Sequence, residues 1–91
     1  MGPVESEILA RLKAGFQPAY LRVSNDSGRH AGHMGDDGSG ESHFSVEIES
    51  AAFTGLNRLA RQRAVNAALK DLLASRIHAL SLTVRAPGES A

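Results

Sequence analysis

The chain has 91 residues, no cysteine, and ten basic against ten acidic residues, for a formal net charge of zero. That length allows one domain with one modest core, and an apolar fraction of 42% is that of a folded globular protein. The charge balance offers nucleic acid and anionic membranes no bulk attraction. Without cysteine, the chain can form no disulfide, thiol nucleophile or thiolate metal cage of its own.

No apolar run approaches the roughly 20 residues that cross a bilayer. The opening segment MGPVESEILARLKAG reads neither as a signal peptide nor as an Arg-rich transit sequence. A soluble, cytoplasmic protein with no membrane association is expected.

Val4, Ile8, Leu9 and Leu12 recur at helical spacing, with Glu5 and Glu7 in the first turn and Lys13 in the last, which predicts a helix over residues 4–14. Gly15 is its expected stop, Phe16 its closing hydrophobic contact, and Pro18 prevents continuation. AYLRVSN then alternates, with Leu21 and Val23 on one face, and HFSVEIES does the same with Phe44, Val46 and Ile48. Both predict strands of a sheet with one wet face. The Asn/Asp/Gly/Ser-rich segment of about 26–41 between them is far longer than a hairpin turn and is expected to be a flexible loop.

FTG interrupts the pattern. Beyond it, Leu56, Leu59, Val65, Ala68, Leu69, Leu72 and Leu73 predict a short helix near 56–59 and a main helix over 60–74. IHALSLTVR is the third strand, and the tail over 86–91 is expected to fray. The order is α-β-β-α-α-β. The first two strands should pair antiparallel, and a right-handed helical crossover should lay the third parallel to the second. The fold class is therefore α+β, a three-stranded mixed sheet with helices on one face, in a single domain spanning 1–91.

Three of the four histidines, His30, His33 and His43, fall within RHAGHMGDDGSGESH. A glycine-rich histidine loop is by default solvated, yet a metal site completed by a partner suits a mobile ligand. His30 lies near the end of the first strand, and His33 three residues farther along a glycine path. The fourth, His78, shares the alternation of Leu80, Leu82 and Val84, at the rim of the core. It reads either as a core-edge imidazole satisfied by a carbonyl or as a packed imidazole with one nitrogen turned outward for a metal. His43 belongs to the wet face of the second strand and reads as strand-start structure, pointing away from the helices.

Asp36 and Asp37 lack the spacing of a calcium loop and read as solvating charges. Arg58, Arg61 and Arg63 form the one cationic cluster; Arg58 and Arg61 share a helix face, and Arg63 points elsewhere. They could be a solvated face, a contact for nucleic-acid phosphates, or a contact for a partner's acidic surface. With zero net charge, binding to DNA would be weak, local and salt-dependent. There is no nucleophile–base pair, P-loop or dinucleotide glycine pattern, so no enzyme is expected.

Taken together, LRVSNDSGRHAGH, ESHFSVEIES, FTGLNRLARQRAVNAAL and IHALSLTV, running from 21 to 84 in this order, resemble the BolA family. The resemblance implies a fold like the type II KH domain, in agreement with the α-β-β-α-α-β order. A KH domain grips nucleic acid with a GxxG loop; in FTGLNR, Gly55 has no second glycine three residues on, so RNA binding does not come with the fold.

The resemblance further implies pairing with a monothiol glutaredoxin and a shared [2Fe-2S] cluster, in iron–sulfur cluster trafficking or iron and redox regulation. DNA-binding transcriptional regulation is the alternative. Its implied cluster ligands are His78 and a loop histidine, His30 or the competing His33. Two imidazoles on one iron and two thiolates on the other make a Rieske-like donor set. The thiolates would come from a glutaredoxin cysteine and glutathione. The isolated chain is expected to be a monomer with no cluster.

Overall fold

A computed structural model describes residues 2–26 and 42–89. The element order is α1 (Pro3–Phe16), β1 (Tyr20–Asn25), β2 (His43–Glu49), a 3-10 turn (Ala51–Phe53), α2 (Arg58–Ala68), α3 (Lys70–Ser75) and β3 (Ala79–Arg85). The α+β class and the α-β-β-α-α-β order hold. The flexible loop expected over about 26–41 lies, apart from Asp26, outside the described residues.

The first helix starts with Pro at its first turn and buries Val4, Ile8 and Leu12. It does not stop at Gly15, which is helical. The chain turns instead at Gln17, whose φ of 46° is left-handed and whose N–H donates to the Lys13 carbonyl at 3.1 Å. Pro18 explains the position, because it disfavours the right-handed helical region for the residue before it. The extra length carries Phe16 onto Phe53, ring centroids 4.9 Å apart, and the Ser50 hydroxyl caps the helix by donating to the Phe16 carbonyl at 2.6 Å.

The sheet order is β1-β2-β3. The first pair is antiparallel, with Leu21 opposite Ile48 and Val23 opposite Val46; the second is parallel, with Phe44 opposite Leu80 and Ile48 opposite Val84. Strand β2 is central, so its helix-facing Phe44, Val46 and Ile48 are fully buried, while Leu21, Val23, Leu80, Leu82 and Val84 on the outer strands are partly buried. Val4, Ile8 and Leu12 of α1, Val65 of α2, Leu72 of α3, and Phe53 and Leu69 complete the core.

Four boundaries in the second half differ from expectation. The short helix lies at Ala51–Phe53 rather than 56–59, because the Ser50 hydroxyl caps it by accepting from the Ala52 N–H and Phe53 is driven fully into the core. Leu56 and Leu59 are consequently exposed, and α2 begins after Asn57, whose Oδ1 accepts from the Ala60 N–H at 2.8 Å. The expected single helix over 60–74 is divided at Leu69, whose N–H is shared between the Val65 and Asn66 carbonyls at 3.2 Å each. No Gly or Pro marks this break; the side chain of Leu69 is fully buried, so packing sets it.

Strand β3 begins at Ala79, two residues later than the pattern suggested. The Arg76 and Ile77 amides both donate to the Leu72 carbonyl, at 2.7 and 2.8 Å, closing α3. Ile77 is buried as part of that closure, and His78 is exposed.

The described part of the tail, through residue 89, lies against the fold. Ala86 is buried, and the Arg61 guanidinium holds Glu89 with two parallel bonds of 2.6 and 2.9 Å. Among the described residues, no helix is long and apolar enough to cross a membrane.

Candidate metal centre

His78 stands between the end of α3 and the start of β3, and His43 opens β2. Neither position brings them together by sequence; the parallel pairing does. It sets His43 opposite Ala79, and the Ser42 carbonyl accepts from both the His78 N–H, at 2.8 Å, and the Ala79 N–H, at 3.3 Å. The two imidazole centroids are 6.3 Å apart, with planes 24° from parallel. A backbone clamp thus fixes the approach of the two rings.

The expected wet position of His43 is corrected. Its register does put it with Ser45, Glu47 and Glu49, away from Phe44 and the helices, but it is only 9% exposed. The His78 ring covers part of it, and the Ser42 hydroxyl, itself buried, lies 3.0 Å from His43 Nδ1. His78 is corrected in the opposite sense. It was expected at the helix-facing rim and is instead turned outward, because Ile77 takes the buried position.

The Ser42 contact controls which His43 nitrogen can bind a metal. When Nδ1–H donates to Ser42 Oγ, the Nε2 lone pair is available; when the hydroxyl donates to Nδ1, Nε2 carries the proton. A cavity of ≈ 210 Å³ opens beside the pair, lined by Asp26, His43, Phe44, Ser45, Ala79, Leu80 and Ser81. Asp26 is fixed there: its N–H donates to the His43 carbonyl at 2.8 Å, and the Ser45 hydroxyl donates to its carboxylate.

Among the described residues, no group of three or more His, Asp or Glu side chains gathers around one point. The described donor set is therefore two imidazoles, which fits one half of a site whose remaining ligands come from elsewhere. His30 and His33 lie outside the described residues. His43, which sequence reasoning set aside as strand-start structure, is the histidine that the fold places beside His78. Its signal, adjacency to Ala79 across a parallel pair, exists only once the register is known.

The arginine cluster separates. Arg58 is exposed and, with Leu56, Gln62, Leu82 and Thr83, lines a cavity of ≈ 500 Å³ that also contains Arg61 and Glu89. Arg63 faces a different groove. Arg61 is committed: its two terminal nitrogens bind Glu89, whose Oε1 also accepts from the Ala86 N–H at 3.0 Å. The Arg61 fork first, and the Ala86 amide after it, hold the Glu89 carboxyl down at about 2. Arg85 bonds Glu47 Oε2 and Glu49 Oε1, both at 2.9 Å, and lies over the Tyr20 ring. These bonds, with Glu47 first, raise its guanidinium further above its ordinary value.

Comparison with known proteins agrees with this architecture. The family model described as BolA-like protein matches residues 12–89. A Sinorhizobium protein described as an uncharacterized protein in the cobS 5' region is 49% identical over 80 residues, covering 87% of this chain and 86% of its own. Bovine BolA-like protein 1 is 40% identical over 98% of this chain, which spans 63% of the bovine protein's length. The Vibrio cholerae protein named DNA-binding transcriptional regulator BolA is 42% identical over 87% of this chain and 71% of its own. Among solved structures, BolA1 from Arabidopsis thaliana superposes with a TM-score of 0.88 at 34% identity, covering 100% of this chain and 99% of the other.

Proposed function

The chain belongs to the BolA-like family, and from that premise we propose that it is an interaction module that pairs with a monothiol glutaredoxin and shares a [2Fe-2S] cluster with it. Its role would lie in cluster trafficking or in iron and redox regulation in the cytoplasm. The observation that carries this reading is the clamped pair of His43 and His78, with His78 exposed at the mouth of the sheet.

Imidazole nitrogens suit one iron of a Rieske-like cluster, and a chain without cysteine must leave the thiolates to its partner and to glutathione. His78 is the anchored ligand in this reading. The second ligand is His30 or His33, as the family resemblance implies, or His43, which the fold holds beside His78. The chain's own contribution is positional: the Ser42 carbonyl fixes the His78 backbone, and the Ser42 hydroxyl orients the His43 ring.

The test is to mix the protein with a monothiol glutaredoxin, iron, sulfide and glutathione and record absorption and circular dichroism in the visible range. A heteromeric cluster spectrum should form, and His78→Ala should abolish it. A native spectrum from His78→Ala would sink the proposed site.

A second reading, a DNA-binding transcriptional regulator, is favoured by the name of the Vibrio relative and by the exposure of Arg58 and Arg63. Arg61, the third cation of that cluster, is spent on Glu89. Two phosphate contacts give a slope of about −2 in log affinity against log salt, so duplex binding should be weak at any salt and fall about tenfold further between 50 and 200 mM. A sequence-selective complex that survives physiological salt would put the regulator first.

A further inference from the structure

We propose that the groove between α2–α3 and the outer edge of β3 receives an extended acidic peptide segment, which adds to β3 as a further strand. The groove, ≈ 560 Å³, is lined by Arg63, Asn66, Ala67, Lys70, Leu73 and Leu80. Asn66 and Ala67 lie three and four residues after Arg63 and four and three before Lys70, so the four form a single stripe along the helical layer. Ala67, Leu73 and Leu80 make an apolar floor; Arg63 and Lys70 stand above it as a cationic rim. Neither of these two has an ion pair among the described residues.

The strand beneath is open. With the order β1-β2-β3, no described strand lies beyond β3. Edge strands are ordinarily guarded by Pro, by Lys, by inward charge or by being short. The opposite edge, β1, carries Arg22 at its middle. Strand β3 is seven residues long, ALSLTVR, with no charge before its last residue. That residue, Arg85, is turned back onto Glu47 and Glu49 of β2, away from the edge. An unguarded edge beside an apolar floor is the arrangement in which a peptide gains main-chain hydrogen bonds for affinity and side-chain pockets for specificity. The cationic rim sets the sign of the peptide's charge.

A nucleic acid strand fits this groove less well. No aromatic residue lines it for base stacking, and two cations neutralise few phosphates. Leu80 borders both this groove and the cavity beside His43, and it lies two residues beyond His78. A partner docked along β3 therefore reaches the histidine pair. That consequence rests on the cluster-sharing reading; the groove itself does not.

The test uses the 91-residue chain, metal-free and 15N-labelled, and an acetylated synthetic peptide of alternating valine and glutamate. Amide shift changes and slowed hydrogen exchange should concentrate in Ala79–Arg85 and along the Arg63–Lys70 stripe. Arg63→Glu combined with Lys70→Glu should weaken the peptide by at least about tenfold, because like charges then face each other, while Arg22→Ala on the opposite edge binds as tightly as the native chain. Changes confined to β1 or to the open sheet face would overturn the proposal. So would unchanged affinity in the double variant, self-association through β3 in place of peptide binding, or protection of β3 by a single-stranded oligonucleotide but not by the peptide. The cluster spectrum of His78→Ala is read separately, so the groove and the metal site can fail independently.

Discussion

The rings of His43 and His78, 35 residues apart in the chain, lie 6.3 Å from centroid to centroid because a parallel strand pair sets His43 opposite Ala79 and hands the His78 amide to the Ser42 carbonyl. The pair is thus a product of register. Any ligand role it plays is preorganised by backbone hydrogen bonds.

The first prediction separates the candidates for the second ligand. His43→Ala should weaken or shift the heteromeric cluster spectrum formed with glutaredoxin. His30→Ala should do so only partly, with His33 able to substitute. The measurement is visible circular dichroism of each single variant and of the His30/His33 double variant. A native spectrum from the double variant removes the loop from the site, and a native spectrum from His43→Ala removes the strand histidine.

Ser42→Ala should change the tautomer of His43, because it removes the oxygen 3.0 Å from Nδ1. Imidazole 15N shifts in the metal-free protein report this directly, and unaltered shifts would show that the hydroxyl does not orient the ring. If His43 is a ligand, losing this orienting contact should also lower cluster affinity by about 10–100-fold.

The Arg61–Glu89 pair makes the tail pH-sensitive only in acid. The folded-state value of Glu89 is lowered from 4.5 to about 2, so the stabilisation from this pair is full above 4.5 and is lost as pH falls toward about 2. The Ala86 amide proton, which donates to Glu89 Oε1, should titrate with a midpoint near about 2. In an Arg61→Gln variant the midpoint should move up toward 4.5. A native midpoint near 4.5 would mean that the pair does not persist in solution.

Phe53→Ala should cost about 3–5 kcal/mol, as for a large aromatic removed from a packed core. Phe53 is completely buried and also supports Phe16, so the end of α1 loosens with it. Urea unfolding should show a lower midpoint with little change in slope. The exposed Leu59→Ala, at 58% exposure, should shift it far less.

The local code of the chain was legible where one residue pattern answers one surface. Val4, Ile8 and Leu12 marked the buried stripe of α1, and the alternations of Leu21/Val23 and Phe44/Val46/Ile48 marked two half-buried strands. The strand–helix–strand order then implied the parallel pairing and the α+β class. Periodicity failed where caps and packing decided the boundary. Leu56 and Leu59 look like a helix face, yet Leu56 precedes the Asn57 cap, Leu59 is exposed in the first turn of α2, and Phe53 fills the core in their place. Gly15 looks like a stop, yet Pro18 places the turn at Gln17.

By itself the sequence determined which donors the chain carries, imidazoles and carboxylates without a thiolate, and an apolar pattern sufficient for a single three-stranded sheet. Only the tertiary structure decided that, among the described residues, His43 and His78 meet. Alternation carried through Ile77 would have turned His78 inward, but closing α3 on the Leu72 carbonyl buries Ile77 and turns His78 out. Alternation alone also left His43 solvated, but the parallel register brings the His78 ring over it. The same register leaves β3 at the rim of the sheet and makes its edge available. The physical reason is common to all three: side-chain period is a local property, while the contacts that define a site are set by strand pairing between segments far apart in the chain.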